Sequence, residues 1–363
     1  MESPNRVRQV RLQHGLSRED LAEHVGVTRQ MIGLIETGKV NPSTSISLRL
    51  GKVLNSSVEY LFSTDPVETI NAKVVTESDV HQEVSQRVVI GSVMGQNIAR
   101  PLTFVHPMAQ FVAAHGIVPS ANPSNRVELY RDVHRTDKTL FISGCDLGLG
   151  LLANHISHAS RHHQGIWFQA SNRAAIEELR RGYTHVAAVH THLSIEEFKQ
   201  TLDLPFQVHA MHFSIGQLGW IVSRGNPRGF TSAGDLASGQ YTIVNRPAGA
   251  GARELLDSEL KRYGVPAQDI PGYQSVVRGH IDVAYAVFNG LADVGLAHAS
   301  AAAQYGLDFL PIRPETCMLV FSPESELDES LQVLQESLQS DSFRQDLAAF
   351  GPYDVRATGK TIQ

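Results

Sequence analysis

The chain has 363 residues, which is more than one ordinary hydrophobic core contains, so its length predicts two or three domains. The composition, 42% hydrophobic and 19% charged, is typical of a soluble protein, and no apolar run approaches the roughly 18 residues needed to span a bilayer. The two cysteines exclude a disulfide framework. We therefore expect no signal segment, no membrane contact and a cytoplasmic protein with reduced thiols.

The net charge of −6 is distributed unevenly along the chain. Residues 1–62 contain six Arg and two Lys against six Asp or Glu, so this end is weakly positive and the remainder is negative. Because charge acts domain by domain, the N-terminal end is the candidate for binding nucleic acid phosphates.

Closely spaced helix boundaries divide the first sixty residues into short segments. Ser17, with Asp20 three residues later, predicts the start of a helix, and Gly26 predicts its end. Thr28 predicts the start of the next helix. This density of boundaries predicts a compact all-α bundle over residues 1–63.

The segment 16–38 resembles the Cro/C1 repressor type of helix-turn-helix. Ala22 is the small residue where two helices cross, Gly26 takes the turn, and Val27 and Ile32 fill the space between the helices. The resemblance covers about the first 62 residues. It implies that the second helix of the motif enters the major groove of double-stranded operator DNA, and we expect a homodimer on a two-half-site operator.

The same resemblance implies which side chains meet the DNA. The early outward residues of the second helix reach base edges, where Arg29 can bridge guanine O6 and N7 and Gln30 can pair with adenine. Flanking polar side chains are expected at phosphates, where they position the head without reading sequence. The predicted DNA-binding residues are Arg18, Thr28, Arg29, Gln30, Lys39 and Asn41. The alternative is a helical bundle that binds protein instead of DNA.

A polar, acidic stretch without periodicity at residues 64–86 is interpreted as a linker. Strand-like runs follow at 87–94 and 99–104, within a short β-containing connecting region that we assign to 87–136. Beyond the connecting region, strand and helix patterns alternate, which predicts parallel strands with helices on both faces.

Two long extended segments, 206–223 and 317–322, bracket the second series of alternating strands and helices. A chain that leaves one lobe and later returns to it forms a two-lobed clamp. We therefore predict a separate α/β ligand-binding domain over residues 137–363.

The clamp contains three corners at which a strand passes into a helix. One is the glycine-rich segment 245–253, where free N–H groups at the helix start and the helix dipole favour an anion; the others are 143–146 and 170–172. Ligands of open α/β sheets collect at the carboxyl ends of strands. The predicted ligand-binding residues are Ser143, Cys145, Asp146, Ser171, Asn172, Asn245, Arg246, Gly249, Gly251 and Arg253.

The segments 143–146, 245–253 and 286–295 together resemble the periplasmic molybdate-binding-protein-like domain that is found fused to bacterial helix-turn-helix heads. The resemblance spans roughly residues 87–350 and implies a type 2 periplasmic-binding fold with a molybdate- or tungstate-like oxyanion, or a molybdenum-cofactor-related compound, as ligand. Such loops usually carry hydroxyl residues between the glycines, whereas this chain has Ala250 and Ala252.

These resemblances imply a multidomain bacterial transcriptional regulator: an all-α helix-turn-helix head and an α/β two-lobed type 2 periplasmic-binding-protein-like domain. We expect it to bind operator DNA and a small anionic ligand. We predict that it is not an enzyme, that it has no catalytic or metal-binding residues and that it needs no cofactor.

Two other function classes stay open. The helical spacing of His155, His158, His162 and His163 would suit a zinc or nickel sensor, although we prefer to interpret it as a polar outer face at a helix end. An enzyme on the same fold would use Cys145, near a helix start, as nucleophile, but no base with recognisable local spacing accompanies it.

Overall fold

A computed structural model describes residues 5–62, 68–75, 85–103, 106, 108–119, 125–130, 138–160, 162–193, 197–198, 202, 204–322 and 329–362. The chain divides into two compact units, Met1–Glu68 and Thr69–Gln363. Among the described residues, no helix is long and apolar enough to cross a membrane.

The first unit is a bundle of helices, as the sequence predicts. Its helices are α1 (Val7–Gln13), α2 (Arg18–Val25), α3 (Arg29–Glu36), α4 (Thr44–Val53) and α5 (Val58–Phe62). Their inward positions form one apolar core that includes Leu21, Val25, Ile32 and Ile35, all fully buried. The helix-turn-helix motif is α2, the turn and α3.

Local capping fixes the ends of α2 and α3. The Ser17 hydroxyl accepts a hydrogen bond from the Asp20 backbone N–H, and the Asp20 carboxylate accepts one from the Ser17 N–H in return. Gly26 ends α2 in the left-handed region, with φ +71°, which an L side chain rarely adopts. The Thr28 hydroxyl accepts from the Met31 N–H and begins α3.

The second unit begins with a six-stranded sheet. Its strands are β1 (Thr69–Asn71), β2 (Lys73–Val74), β3 (Gln86–Val93), β4 (Gln96–Pro101), β5 (Gly116–Val118) and β6 (Arg126–Leu129), in the order β1-β6-β5-β3-β4-β2. β3 and β4 form an antiparallel hairpin near the two runs predicted from the sequence. β1 and β2 lie inside the range that the sequence led us to interpret as a linker.

A second sheet of eight strands carries the two-lobed architecture. Seven strands follow the order β11-β12-β10-β13-β9-β7-β8, and β14 pairs with β10. The strands are β7 (Thr139–Gly144), β8 (Gln164–Gln169), β9 (Val186–Thr191), β10 (His209–Val222), β11 (Ile243–Val244), β12 (Val294–His298), β13 (Asp308–Phe321) and β14 (Thr361–Ile362). The pairs within each lobe, β7 with β8 and β9, and β11 with β12, are parallel as predicted.

The two central strands, β10 and β13, are long and antiparallel to each other. β13 begins at Asp308, nine residues before the predicted start at Cys317, because pairing with β10 extends it through a segment whose own apolar pattern is weak. The two strands run through both hydrophobic cores of the clamp, since Met211 and Leu319 lie in one and Leu218 and Trp220 lie in the other.

Helices cover both faces of this sheet. They are α6 (Gly148–Ala159), α7 (Asn172–Arg180), α8 (Gly251–Tyr263), α9 (His280–Phe288), α10 (Ala299–Tyr305), α11 (Glu329–Gln339) and α12 (Asp341–Phe350). α6 and α7 follow β7 and β8 directly, and α8 follows β11. The corners between these strands and helices therefore meet at the carboxyl ends of the strands.

Candidate ligand cleft and DNA-reading helix

A small cleft lies where the strand-to-helix corners meet. Both series of strands and helices contribute to its walls, as a two-lobed clamp requires. The lining residues are Cys145, Ser171, Asn172, His190, Leu218, Arg246, Ala250, Gly251, Ala252, His280 and Glu315. Five of the ten residues predicted to bind ligand belong to this set.

Arg246 is the charged group that distinguishes the cleft. Its side chain is buried, with the residue 3% exposed, and neither Nε nor Nη1 has a hydrogen-bond partner among the described residues. Burial lowers the pKa of Arg246 by disfavouring the charged form. A buried guanidinium with unused donors calls for an anionic or strongly polar guest.

Two helix starts face the same cleft. At α7, the Ser171 hydroxyl accepts from the Ala174 N–H, and the Asn172 side chain exchanges two hydrogen bonds with the backbone of His190. At α8, which has 13 residues, Gly251 and Ala252 supply the first N–H groups. These N–H groups have no acceptor within the helix. Helix starts present N–H donors and the positive end of the helix dipole.

Three buried histidines surround the floor of the cleft. Their ring centroids are 5.7 Å apart for His190 and His298, 6.1 Å for His280 and His298, and 6.4 Å for His190 and His280. Burial lowers the pKa of His280 well below 6.5 and that of His298 to about 4, so both rings are neutral. Burial acts in the same direction on His190, but the adjacent thiols outweigh it and raise its pKa.

A hydrogen-bonded network beneath the cleft fixes Asp146. Asp146 Oδ1 accepts from the Gly148 N–H at 2.8 Å and from the Tyr353 hydroxyl at 2.7 Å. Tyr353 also lies 3.0 Å from the hydroxyl of Ser300, and burial raises the pKa of Tyr353 well above 10. Asp146 therefore lies just below the cleft, with one oxygen held and Oδ2 turned toward His190 at 3.5 Å from Nε2.

The other residues predicted to bind ligand have different surroundings. Ser143 is buried on the opposite side of β7, where its hydroxyl lies 2.5 Å from Glu178 and accepts from Arg100. Asn245 donates to the Tyr273 carbonyl and accepts from the Arg246 N–H. These two side chains support the corners and do not line the cleft.

Arg253 and Gly249 are also placed outside the cleft lining. The Arg253 guanidinium pairs with Asp257 at 3.1 Å and lies 4.2 Å from the centre of the Tyr273 ring, so its charge is already engaged on its own helix. Gly249 adopts φ +83° in the loop before α8, which gives it a role in the turn.

Several residues of the cleft were not predicted, because they come from distant elements of the fold. Glu315 lies on β13, and His280 begins α9. His190 had a local signal, since the His190-Thr191-His192 run stands at the end of a strand. The others have no local motif that would single them out.

The tertiary structure also places an imidazole beside Cys145, which local spacing does not show. His190 lies near the thiols of Cys145 and Cys317, which raise its pKa, but neither ring nitrogen has a hydrogen-bond partner among the described residues. Burial raises the pKa of Cys317 to about 12, so this thiol is a poor nucleophile.

The histidine-rich segment considered as a metal sensor has ordinary partners. His155 Nε2 lies 2.9 Å from Asp346 Oδ2, and its ring packs against Phe343. His163 Nδ1 lies 2.9 Å from the Ser160 hydroxyl. Among the described residues, the group of potential metal ligands that does lie together is Asp146, His190 and Cys317.

In the first unit, the residues predicted to read bases lie at the start of α3. Thr28, Arg29 and Gln30 are exposed, and Arg29 makes a long contact of 3.5 Å with the exposed Glu19. Lys39 and Asn41 are exposed beyond the end of the helix.

Arg18, which was predicted to contact a phosphate, is bound to a carboxylate of the head itself. Its Nε donates to Glu36 at 2.7 Å, and Arg11 donates to the same carboxylate at 2.6 Å. Glu36 is buried, so the two arginines and Glu36 bind α1, α2 and α3 together.

Comparisons with known proteins support this two-part organisation. A helix-turn-helix family model matches residues 7–61, and a model described as a PBP superfamily domain matches residues 153–339, just over half of the chain. Fold and site thus define a helix-turn-helix DNA-binding regulator with a periplasmic-binding-protein-like ligand-binding domain. The chain belongs to the PBP superfamily, and its N-terminal part is of the Cro/C1 helix-turn-helix type.

Individual relatives match different parts of the chain. Protein YvgK of Bacillus subtilis (strain 168) is 28% identical over 230 residues, covering 61% of this chain and 73% of that protein. An HTH-type transcriptional regulator of Archaeoglobus fulgidus is 40% identical over 63 residues, covering 17% of this chain and 90% of that protein.

Two solved structures also align with part of the chain. The bromide-bound regulatory domain of HypT from Salmonella typhimurium aligns with a TM-score of 0.44 and 14% identity, covering 60% of this chain and 98% of that one. An ABC-type phosphate transport receptor from Vibrio cholerae aligns with a TM-score of 0.40 and 16% identity, covering 59% and 98%.

Proposed function

We propose that this protein regulates transcription in response to a small oxyanion that binds in the cleft between the lobes. The oxyanion accepts hydrogen bonds from the Arg246 guanidinium and from the N–H groups at the start of α8. The start of α7, with Ser171 and Asn172, contributes from the other lobe. Molybdate and tungstate represent the proposed ligand class.

The observation that carries this proposal is the buried guanidinium of Arg246, whose Nε and Nη1 have no hydrogen-bond partner among the described residues. Taking a charge out of water costs several kcal/mol unless a counter-charge and hydrogen bonds replace the lost hydration. Glu315, the carboxylate that lines the cleft, is already paired with Arg313 at 2.7 Å. Asp282 acts on Arg246 electrostatically, and its carboxylate accepts a hydrogen bond from the Gly279 N–H. A bound anion would supply the direct partner that Nε and Nη1 of Arg246 lack among the described residues.

The size of the cleft favours a small guest. Its free interior measures about 10 Å³, roughly the room that one water molecule needs. A tetrahedral oxyanion would therefore enter only when the lobes separate. A pterin compound would require the lobes to separate further.

Ligand-dependent regulation follows from the placement of donors on both lobes. A ligand shifts an equilibrium between open and closed forms only through its different affinity for the two. An anion that contacts Ser171 on one lobe and Arg246 on the other binds the closed form more tightly. We propose that closure alters operator binding by a homodimer, whose α3 helices read the DNA through Arg29 and Gln30.

The test is oxyanion binding by the full chain and by two arginine variants. We expect calorimetric titration with molybdate, tungstate, sulfate and phosphate to identify at least one ligand. In Arg246→Met the affinity for it should fall roughly 10- to 150-fold, because a hydrogen bond to a charged group contributes about 1.5 to 3 kcal/mol. In Arg253→Met it should change less than about threefold, because Arg253 is engaged with Asp257 and Tyr273.

Two results would count against the proposal. One is the absence of binding by all four oxyanions to the wild-type chain. The other is an equal loss of affinity in both variants, which would mean that the arginines act on general stability rather than on the ligand. Operator affinity without ligand should be the same in Arg246→Met and wild type.

A further inference from the structure

Three potential metal ligands of different chemistry meet just below the cleft. Asp146, His190 and Cys317 each direct one donor atom inward, and these atoms all lie within 4.8 Å of one another. All three side chains are buried or nearly so. We propose that they form a binding site for a divalent cation of the zinc class.

Strand pairing brings the three residues together. His190 on β9 and Cys317 on β13 are direct partners in an antiparallel ladder, so their side chains lie on the same face of the sheet, with Cβ atoms about 5 Å apart. Asp146 lies two residues beyond the end of β7, the strand beside β9. Rigid strands and their ends therefore position all three donors.

The separation of the His190 and Asp146 donor atoms suits a shared ion better than a hydrogen bond. His190 Nε2 lies 3.5 Å from Asp146 Oδ2, which is longer than an ordinary N–H to oxygen hydrogen bond. Zinc binds nitrogen and oxygen at about 2.0 to 2.2 Å and sulfur at about 2.3 Å, so tetrahedral ligands lie about 3.3 to 3.8 Å apart. The three donor atoms, all within 4.8 Å of one another, would have to approach by about 1 Å to reach such a geometry.

The donor atoms have unmet bonding capacity. Asp146 Oδ2 and both ring nitrogens of His190 are buried and have no hydrogen-bond partner among the described residues. Buried polar atoms in native proteins are almost always satisfied, and each one left unsatisfied costs about 1 to 3 kcal/mol. A cation bound between Asp146 and His190 would satisfy Oδ2 and one ring nitrogen at once.

Neighbouring groups orient the donors as the outer shell of a metal site does. Gly148 and Tyr353 hold Asp146 Oδ1, which leaves Oδ2 for the ion. His190 Nδ1 faces Glu315 Oε2 at 3.9 Å, and Arg313 anchors Glu315. A carboxylate behind a metal-bound imidazole is a recurrent arrangement that fixes the ring and its tautomer.

Donor type and charge select the class of cation. A thiolate, an imidazole and a carboxylate suit zinc and related transition metals, whereas magnesium and calcium prefer oxygen alone. One thiolate and one carboxylate neutralise a divalent ion, so the buried site carries no net charge.

Three protein ligands leave a fourth coordination position of zinc open. His190 lines the cleft, so the open position is expected on the cleft side.

The metal site can be tested independently of oxyanion or operator binding. The full chain is treated with a chelator, dialysed and titrated with Zn²⁺ while bound metal is measured by mass spectrometry. We expect one Zn²⁺ per chain. Cys317→Ser and His190→Gln should each weaken binding by at least about 100-fold, since changes even to outer-shell partners cost 10- to 100-fold. His158→Gln, at an exposed histidine, is the matched control and should bind like wild type.

Cobalt substitution tests the sulfur ligand without any mutation. Co²⁺ bound to the wild-type chain should show the near-ultraviolet charge-transfer absorption of a thiolate ligand and the visible bands of tetrahedral coordination. That result would hold even if Cys317→Ser failed to fold. The proposal is overturned if Zn²⁺ does not bind, if the cobalt complex lacks the thiolate band, or if His158→Gln loses the metal while Cys317→Ser keeps it.

Discussion

The stability of the DNA-binding head should depend strongly on one buried carboxylate, Glu36. Its side chain is fully buried and receives hydrogen bonds from Arg11 at 2.6 Å and Arg18 at 2.7 Å. In Glu36→Gln the side chain keeps its shape but loses its charge, which leaves the 7%-exposed side chain of Arg11 without a counter-charge. Arg18 is 39% exposed and can turn to water, so its share of the loss is small.

The expected loss is about 2 to 4 kcal/mol in the free energy of unfolding. Breaking a buried ion pair by removing one partner costs about 3 to 5 kcal/mol, and the exposure of Arg18 reduces that figure. A head of this length has a total stability of roughly 3 to 9 kcal/mol. Glu36→Gln should therefore lower the midpoint of thermal unfolding by roughly 10 to 30 °C, or unfold the head outright.

Urea and thermal unfolding of residues 1–68, followed by far-ultraviolet circular dichroism, measure this loss. Glu19→Gln is the matched control, because Glu19 is exposed and its contact with Arg29 is 3.5 Å long. The control should change stability by less than about 0.5 kcal/mol. If the unfolding free energies of Glu36→Gln and Glu19→Gln differ by less than about 0.5 kcal/mol, the buried carboxylate does not hold the first three helices together.

Two further outcomes are expected. Arg29→Ala should reduce the discrimination between bases at one base pair by about 1 to 3 kcal/mol, measured as binding to a set of operator variants. Lys39→Ala should lower the affinity for all of these operators by the same factor. If both variants lower the affinity uniformly, base reading by Arg29 is contradicted. Burial lowers the pKa of His115 below 6.5, so the stability that its neutral form provides is complete above pH 6.5 and is lost as the pH falls. The slope of unfolding free energy between pH 6.5 and pH 5 should therefore be smaller in His115→Gln than in wild type, and an unchanged slope would show that His115 does not contribute.

Much of the architecture was predictable because local rules set it. The boundaries of α2 and α3 follow from Ser17, Gly26 and Thr28, whose capping and turn roles require only neighbouring residues. The alternation of strands and helices after Thr139 likewise predicts the two lobes. The extension of β13 to Asp308 was not predictable, because it depends on pairing with β10.

The candidate site was predictable only in part. The corners at Cys145, Ser171 and Arg246 carry local signals, and the structure brings them to one cleft. Ser143 lies inside β7, where Arg100 and Glu178 engage its hydroxyl, whereas Cys145 follows the end of β7 and is no longer bound by the alternation of strand side chains. Arg253 and Arg246 look equivalent in the sequence. In the structure Arg253 contacts Asp257 and Tyr273, whereas Arg246 is buried in the lining of the cleft.

The sequence by itself determined the helix-turn-helix head and the glycine-rich corners, since caps, turns and periodicity act over a few residues. Only the tertiary structure placed Cys317 opposite His190 and Asp146 beside them. The physical reason is that strand order and register arise from the packing of whole sheets, and no short stretch of chain specifies which distant residue will be its partner.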